Sequence, residues 1–378
     1  MKVILIPSVT ELCGVSIHVF NLAKLLNSYN LLDTVICPSD GWLSKKLYKE
    51  NLPYKILEMS FRPTRFWNSS WKLFQYLRIK KSDRIVHLHG RFPTFTSVLS
   101  MVFLHKMKFV VTVHQFSKTG SAGLLGWKNW LELFILRHFT ERISCVSEDL
   151  KKEVIIKLGF SYSYKVFKIK NWIYPIYQTH DIRYKRKKAL QLGQNTKIVA
   201  MGRLCRVKGF DVLIDAIKIM VEEDFPILCD IYGDGPEREN LIQQITKHCL
   251  ENQIQLKGVF DKIRESLINY DLIVIPSRME SFGIVALEAY DAGVPVIASN
   301  IPGLRETVLS EKTGLLFESN NAKSLAGQVI RLIQSSTLYS YLVHEGIKFC
   351  KKFYPNQELF YEYLKFYQIK DNNLPPRK

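Results

Sequence analysis

Short apolar runs alternate with longer amphipathic stretches along this chain. Val3–Ile6, Thr34–Cys37, Lys55–Met59, Ile85–His89, Phe109–His114 and Ile143–Ser147 are dense in Val and Ile and lack strict two-residue alternation. That is the pattern of strands covered on both faces. Between them, Ser16–Ser28 and Asn68–Lys80 read as helices. The pattern stops at a charged stretch, Arg183–Lys188, and restarts at Ile198–Met201, Ile227–Tyr232, Ile254–Lys257, Leu272–Pro276 and Val296–Ala298. Strand–helix alternation predicts parallel sheets, so the expectation is an α/β chain of two doubly wound, Rossmann-like domains. The boundary is expected near residue 180, with 1–180 as the first domain and 181–354 as the second. A helix at about 355–370 is expected to pack back on the first. Ligands of such sheets bind beyond the carboxyl ends of the strands, so functional residues should directly follow strands, in a cleft that the two sheets face.

Composition narrows the class. With 47% hydrophobic and 23% charged residues the chain can build cores over most of its length, and the ends, above all Asn372–Lys378, are expected to fray. The first apolar run, Met1–Pro7, is too short for a signal peptide, and the most apolar long window, Phe95–Val113, is interrupted by His105, Lys106 and Lys108. A cytoplasmic location is the expectation. The 7 cysteines include no Cys-x-x-Cys pair, which predicts buried free thiols rather than disulfides or a zinc site. The net charge of +18 is uneven: residues 1–180 hold 26 Lys/Arg against 11 Asp/Glu, residues 181–378 hold 27 against 24. The first half should therefore attract an anionic partner, whether nucleic acid, anionic lipid or a phosphorylated substrate. No nucleic-acid-binding motif accompanies the charge, so nucleic acid is not expected as a partner.

Two segments of the second half carry chemistry. Gly202-Arg-Leu-Cys-Arg-Val-Lys-Gly209 runs from the end of one strand into the helix Phe210–Val221, which puts Arg203 and Lys208 beside helix N–H groups. Two cations there either bind a diphosphate or are ordinary surface charges. Pro276-Ser-Arg-Met-Glu-Ser-Phe-Gly283 follows another strand and opens a further helix, with Glu280 before it and Glu288 about two turns into it. Each carboxylate either serves the helix dipole or accepts hydrogen bonds from sugar hydroxyls.

Together these segments resemble the family-4 retaining glycosyltransferases, which have the GT-B fold. The Gly-Arg-Leu-x-x-x-Lys-Gly pattern matches at every fixed position, and Glu280 and Glu288 match the paired glutamates, with Ser281-Phe282-Gly283 between them. Val294–Ser299, Gly303, Glu306 and Thr313–Phe317 also fit, so the resemblance covers about residues 197–335. It implies that Arg203 and Lys208 neutralise the donor diphosphate, Glu288 accepts from the ribose, and Glu280 faces the donor sugar. The backbone N–H groups of Phe282, Gly283 and Ile284 would meet sugar or phosphate, and Gly258 and Val259 would border the base. Tyr232–Glu237 is a turn in the family's usual place, its glycines either shaping the cleft or only making the turn. No Asp-x-Asp triplet occurs, so neither a metal nor another cofactor is expected.

The first half adds His114, at the end of Phe109–Val113, where members of the family carry a histidine near the donor sugar. Gln115 stands where an Asp is common. His87 and His89 flank another strand end, as either structural or functional histidines. In the loop after the first strand only Gly14 remains of a glycine pair, its amide free to meet the donor. Phe61–Trp67, Trp71–Lys81 and Gly123–His138 mix aromatics with cations, which suits either an anionic membrane surface or ordinary helix packing. The implied function is hexosyl transfer from a nucleotide diphosphate sugar, of which a UDP-sugar is the commoner kind in the family, to a glycan acceptor, lipid-linked in this reading. By analogy this belongs to bacterial surface-polysaccharide synthesis on the cytoplasmic face of the inner membrane. The rival functions are a GT-B-like sugar-nucleotide epimerase and a basic nucleic-acid-binding protein.

Overall fold

A computed structural model describes residues 1–60, 63–80, 83–115, 124–177 and 195–370. The stretch Arg183–Lys188, the tail Asn372–Lys378, and Phe61, Arg62, Lys81 and Gly123 of the aromatic segments lie outside the described residues. The chain forms two compact units, one of Met1–Asn171 with Pro355–Lys378, the other of Trp172–Tyr354.

The first unit is built on a 7-stranded parallel sheet of order β3-β2-β1-β4-β5-β6-β7. Its strands are β1 (Lys2–Pro7), β2 (Leu32–Cys37), β3 (Tyr54–Ile56), β4 (Arg84–His89), β5 (Lys108–Val113), β6 (Arg142–Cys145) and β7 (Val166–Lys168). The central strands bury five of their six side chains because helices cover both faces, which is why Val and Ile run there unbroken. The sheet includes a strand the sequence pattern did not mark: β7 has three residues and lies at an edge, too short to show a period.

The C-terminal helix, Gln357–Tyr367, belongs to this first unit. Asn356 caps it by accepting from the Leu359 N–H at 2.9 Å. Phe360 stacks on Tyr29 with ring centroids 3.4 Å apart, and the Tyr367 hydroxyl lies 2.8 Å from His87 Nδ1.

The second unit has a 6-stranded sheet of order β10-β9-β8-β11-β12-β13, again with parallel pairing throughout. The strands are β8 (Thr196–Met201), β9 (Ile227–Tyr232), β10 (Ile254–Gly258), β11 (Leu272–Ile275), β12 (Val296–Ser299) and β13 (Gly314–Phe317). β13 was also unmarked: it is a short edge strand that opens on glycine. Strand burial follows position, complete in β11 and β12 but alternating in β9 next to the edge.

One expectation fails. Cys37, Cys145, Cys229 and Cys350 are buried thiols, but Cys13 and Cys205 are half-buried and Cys249 is exposed. Cys249 sits in the turn that ends the helix Arg238–Lys247 with a φ of 56°, so it is part of a surface bend rather than a core run.

Each sheet reverses its strand order once, between β1 and β4 in the first unit and between β8 and β11 in the second. Such switch points open a crevice beyond the strand ends, where loops diverge to opposite faces.

Candidate active site

At the second unit's switch point, β8 leads through Gly202–Cys205 and one 3₁₀ turn, Arg206–Lys208, into the helix Phe210–Glu222. Gly209 joins them in the left-handed region at φ +67°, and a Cβ there would stand 2.1 Å from the Pro276 carbonyl oxygen. The glycine thus lets the loop after β11 press against the loop after β8. Arg278 fastens the two. Its backbone N–H donates to Val207 O at 2.8 Å, and its guanidinium donates to Arg206 O at 2.7 Å and to both Asp211 carboxylate oxygens at 2.7 and 2.6 Å. Burial opposes the charge on Asp211, but the Arg278 hydrogen bonds outweigh it and hold the carboxyl below its usual range.

This frame brings the two sequence motifs into contact. Lys208 Nζ donates to Glu280 Oε1 in a direct ion pair, and Ser277 Oγ stands 3.4 Å from the same oxygen. The Lys208 stem folds back over Gly202, so its ammonium stays on the loop that carries Arg203, whose side chain is exposed. Gly303 seats Glu280 from behind: a Cβ there would meet the Glu280 carbonyl oxygen at 1.9 Å. Ser281, buried Phe282 and Gly283 then lead into the helix Ile284–Asp291, with the Phe282 carbonyl accepting from Thr307 Oγ1 at 3.0 Å. Gly283 and Ile284 lie at the start of that helix, where N–H groups have no intrahelical acceptor.

Glu288 sits one turn into this helix, not two, because the helix begins only at Ile284. It is buried, its Oε1 lies 3.6 Å from Arg264 Nε, and neither atom has a hydrogen-bond partner among the described residues. Burial pushes the Glu288 carboxyl up to about 6, with Arg264 opposing and Asp291 reinforcing the shift. Asp291 in turn accepts from Arg264, the Ile176 N–H and the Tyr354 hydroxyl at 3.1, 2.9 and 2.7 Å.

Nothing in the sequence pattern singled out Arg264 or Asp291. The one available signal was Asp291 three residues after Glu288, on the same helix face. At the end of β10, the Gly258 carbonyl accepts from the Gly233 N–H at 2.8 Å, and Val259 and Phe260 are exposed. The glycines of Tyr232–Glu237 do more than turn: a Cβ on Gly233 would lie 1.9 Å from Gly202 O, so they dock the β9 loop on the β8 loop.

The first unit's switch point is furnished differently. Gly14 is the exposed first residue of the helix Gly14–Ser28, and His18 lies one turn further on. His87 and His89 point to one face of β4, two residues apart. His87 lies 2.7 Å from Thr112 Oγ1 as well as against Tyr367, which makes it a structural, hydrogen-bonded histidine. His18 Nδ1 lies 2.6 Å from Asn171 Oδ1, and His89 Nδ1 lies 3.4 Å from His114 Nε2. One ring nitrogen from each of His18, His89 and His114 falls within 4.8 Å of the others, an arrangement able to hold a metal ion. Burial holds all four imidazoles well down, His18 to about 4, so they are neutral at pH 7. His18 carried no sequence signal, because its neighbours are 71 and 96 positions away.

The structure therefore gathers Arg203, Lys208, Glu280, Ser281, Phe282, Gly283 and Ile284 on two adjoining loops of the second unit. It sets Glu288 just beneath them on the same helix, and Gly258 and Val259 at the neighbouring strand end. His114 and Gly14 belong to the first unit.

Comparison with known proteins gives a consistent picture. The model of the "Glycosyl transferases group 1" family matches residues 181–349, and that of "Glycosyltransferase Family 4" matches residues 13–167. An uncharacterized glycosyltransferase of Methanocaldococcus jannaschii is 27% identical over 93% of this chain and 94% of its own length. The capsular polysaccharide biosynthesis glycosyltransferase CapM of Staphylococcus aureus is 28% identical over 58% of this chain and 59% of its own. Among solved structures, Anabaena HepE in complex with UDP and glucose superposes with a TM-score of 0.82 at 18% identity, covering 98% of this chain and 100% of that one.

Proposed function

Because the chain belongs to glycosyltransferase family 4, with the GT-B fold, we propose that it moves a hexosyl unit from a nucleotide diphosphate sugar to an acceptor hydroxyl with retention of the anomeric configuration. The observation that carries this reading is the Lys208–Glu280 ion pair, which joins the cation of one motif to the acid of the other at a switch point. In the resting enzyme each charge satisfies the other. An entering diphosphate, with two or more negative charges, draws Lys208 away together with Arg203, and the freed Glu280 accepts from sugar hydroxyls. The N–H groups of Gly283 and Ile284 add donors that need no rearrangement.

Glu288 takes the ribose hydroxyls. Its unpartnered buried Oε1 is the acceptor such a diol requires. Val259 and Phe260, apolar and exposed at the end of β10, cover a base, which we assign to uracil by likeness to the UDP-bound neighbour. In the transfer step the C1–O bond to the diphosphate breaks as the acceptor oxygen bonds to C1 on the same face. The acceptor proton passes to the departing phosphate oxygen. Arg203 and Lys208 stabilise the charge that develops there, so the diphosphate is bound without a metal ion. His114 is the imidazole that meets the sugar.

The acceptor we propose is a lipid-linked glycan of surface-polysaccharide synthesis, met at the cytoplasmic face of a membrane. No helix among the described residues is long and apolar enough to cross one. The first unit instead exposes Trp67, Trp71 and Phe103, with Phe74 between the latter two at ring distances of 5.4 and 5.9 Å, in the half that holds the basic excess. Aromatics among cations suit an anionic interface.

The test is a thermal-shift series with UDP, GDP and their sugars, followed by incubation of the stabilising sugar nucleotide with and without acceptor. Release of nucleoside diphosphate only with acceptor supports transfer. Appearance of an epimeric sugar nucleotide without acceptor selects the epimerase instead. Sedimentation with phosphatidylglycerol vesicles but not phosphatidylcholine vesicles tests the interface, and its loss in Trp71→Ala locates it.

A further inference from the structure

The histidines of the first unit offer a chemistry that donor recognition does not require. A tetrahedral Zn²⁺ with bonds of about 2.0–2.1 Å sets its ligand nitrogens about 3.4 Å apart. His89 Nδ1 and His114 Nε2 already stand at 3.4 Å, and one ring nitrogen from each of His18, His89 and His114 lies within 4.8 Å of the other two. Small ring rotations close the remaining gap.

The surroundings suit an ion. Asn171 Oδ1, at 2.6 Å, takes the Nδ1 proton of His18 and leaves Nε2 as the lone-pair nitrogen, the second partner that metal-ligating histidines ordinarily have. His89 Nε2 is buried with no hydrogen-bond partner among the described residues, so the cluster is not a closed hydrogen-bond network. His114 is only half-buried, which leaves a way in.

We propose that His18, His89 and His114 form a three-imidazole site for a borderline divalent ion such as Zn²⁺ or Co²⁺, and that filling it takes His114 from the donor sugar and arrests transfer. The inhibitory half rests on the role given to His114 above; the binding half does not. With no carboxylate among the three ligands, the ion keeps its charge and completes its shell with water or hydroxide.

The experiment uses the full chain, freed of metal by chelation. Zn²⁺ is titrated against a chromogenic chelator, and Co²⁺ is followed by its visible absorption. The expected result is one ion per chain with a tetrahedral Co²⁺ spectrum. Affinity should fall tenfold or more in His18→Ala and in His89→Ala, and about tenfold in Asn171→Ala, while the surface variant His138→Gln matches the parent. No stoichiometric binding, or affinity unchanged by His89→Ala, overturns the site and leaves the transferase reading intact. Turnover is then measured with Zn²⁺ and again after chelation. Reversible inhibition is expected, and stoichiometric binding with undiminished turnover overturns the inhibitory half together with the role of His114.

Discussion

The two sheets reverse at equivalent places and fill them with opposite chemistry. At β8/β11 the residues are charged, partly exposed and paired: Lys208 with Glu280, Arg278 with Asp211. At β1/β4 they are imidazoles, mostly buried and held neutral. The difference separates two jobs that one fold could have combined. Paired charges can be split by an anion that offers a better partner, which fits the diphosphate we propose for the second unit. Neutral rings exert no such pull, and they suit an uncharged sugar or a borderline metal ion. A charged group placed at β1/β4 would face a large desolvation cost, whereas at β8/β11 that cost is already offset within each pair.

The contrast breaks most severely if its central cation is removed. Lys208→Ala should lower kcat by about two to three orders of magnitude, roughly 3 kcal/mol of transition-state stabilisation, while the melting temperature hardly moves. Steady-state kinetics beside calorimetry check this, and turnover within threefold of the parent would sink the donor-site assignment. Next in size is Gly209→Ala. It sets a Cβ against the Pro276 carbonyl in a left-handed residue and should cost about 2–3 kcal/mol of stability in the second unit, read by denaturant titration.

Acid sharpens the contrast from the other side. The unfolded chain protonates its histidines near pH 6.5, whereas folded His18 resists to about 4. Stability of the first unit is therefore full above about pH 6.5 and falls as pH drops toward 4, by about 2 kcal/mol for His18 alone at pH 5. Melting curves between pH 7.5 and 5 should show the loss, and His18→Gln should flatten it. The smallest effect is on donor binding. Glu288 protonates at about 6, so nucleotide affinity should weaken about tenfold between pH 7 and 5 as the acceptor for the ribose is lost. Calorimetry with UDP reports it, and Glu288→Gln should bind weakly at both values.

The second unit's site was more legible in the sequence than the first's, for a physical reason. Its chemistry lies in two short segments, each spanning a strand end and a helix start, so every residue type has a local purpose that spacing can reveal. What spacing could not reveal was that Gly209 lets those segments touch and that Gly303 lets a third element seat Glu280. Arg264 also stayed hidden, because its relation to Glu288 and Asp291 is a matter of packing and not of pattern. In the first unit, Val and Ile runs marked β1, β4 and β5, and His114 stood out as a polar residue ending an apolar strand. His18 did not, because it sits on an amphipathic helix whose other residues account for the periodicity. The edge strands β7 and β13 escaped notice because three or four residues cannot display a period.

The helix Gln357–Tyr367 has a consequence for how the molecule comes into being. The ribosome delivers His87 and its strand early, but the hydroxyl that meets His87 arrives 280 residues later. In the interval the second unit is made in full, so the nascent first unit waits with one side of its histidine layer bare, and Tyr29 without the ring that stacks on it. A chain truncated just before Gln357 keeps all its motif residues yet should behave as a half-finished protein, retained by chaperones rather than released as enzyme.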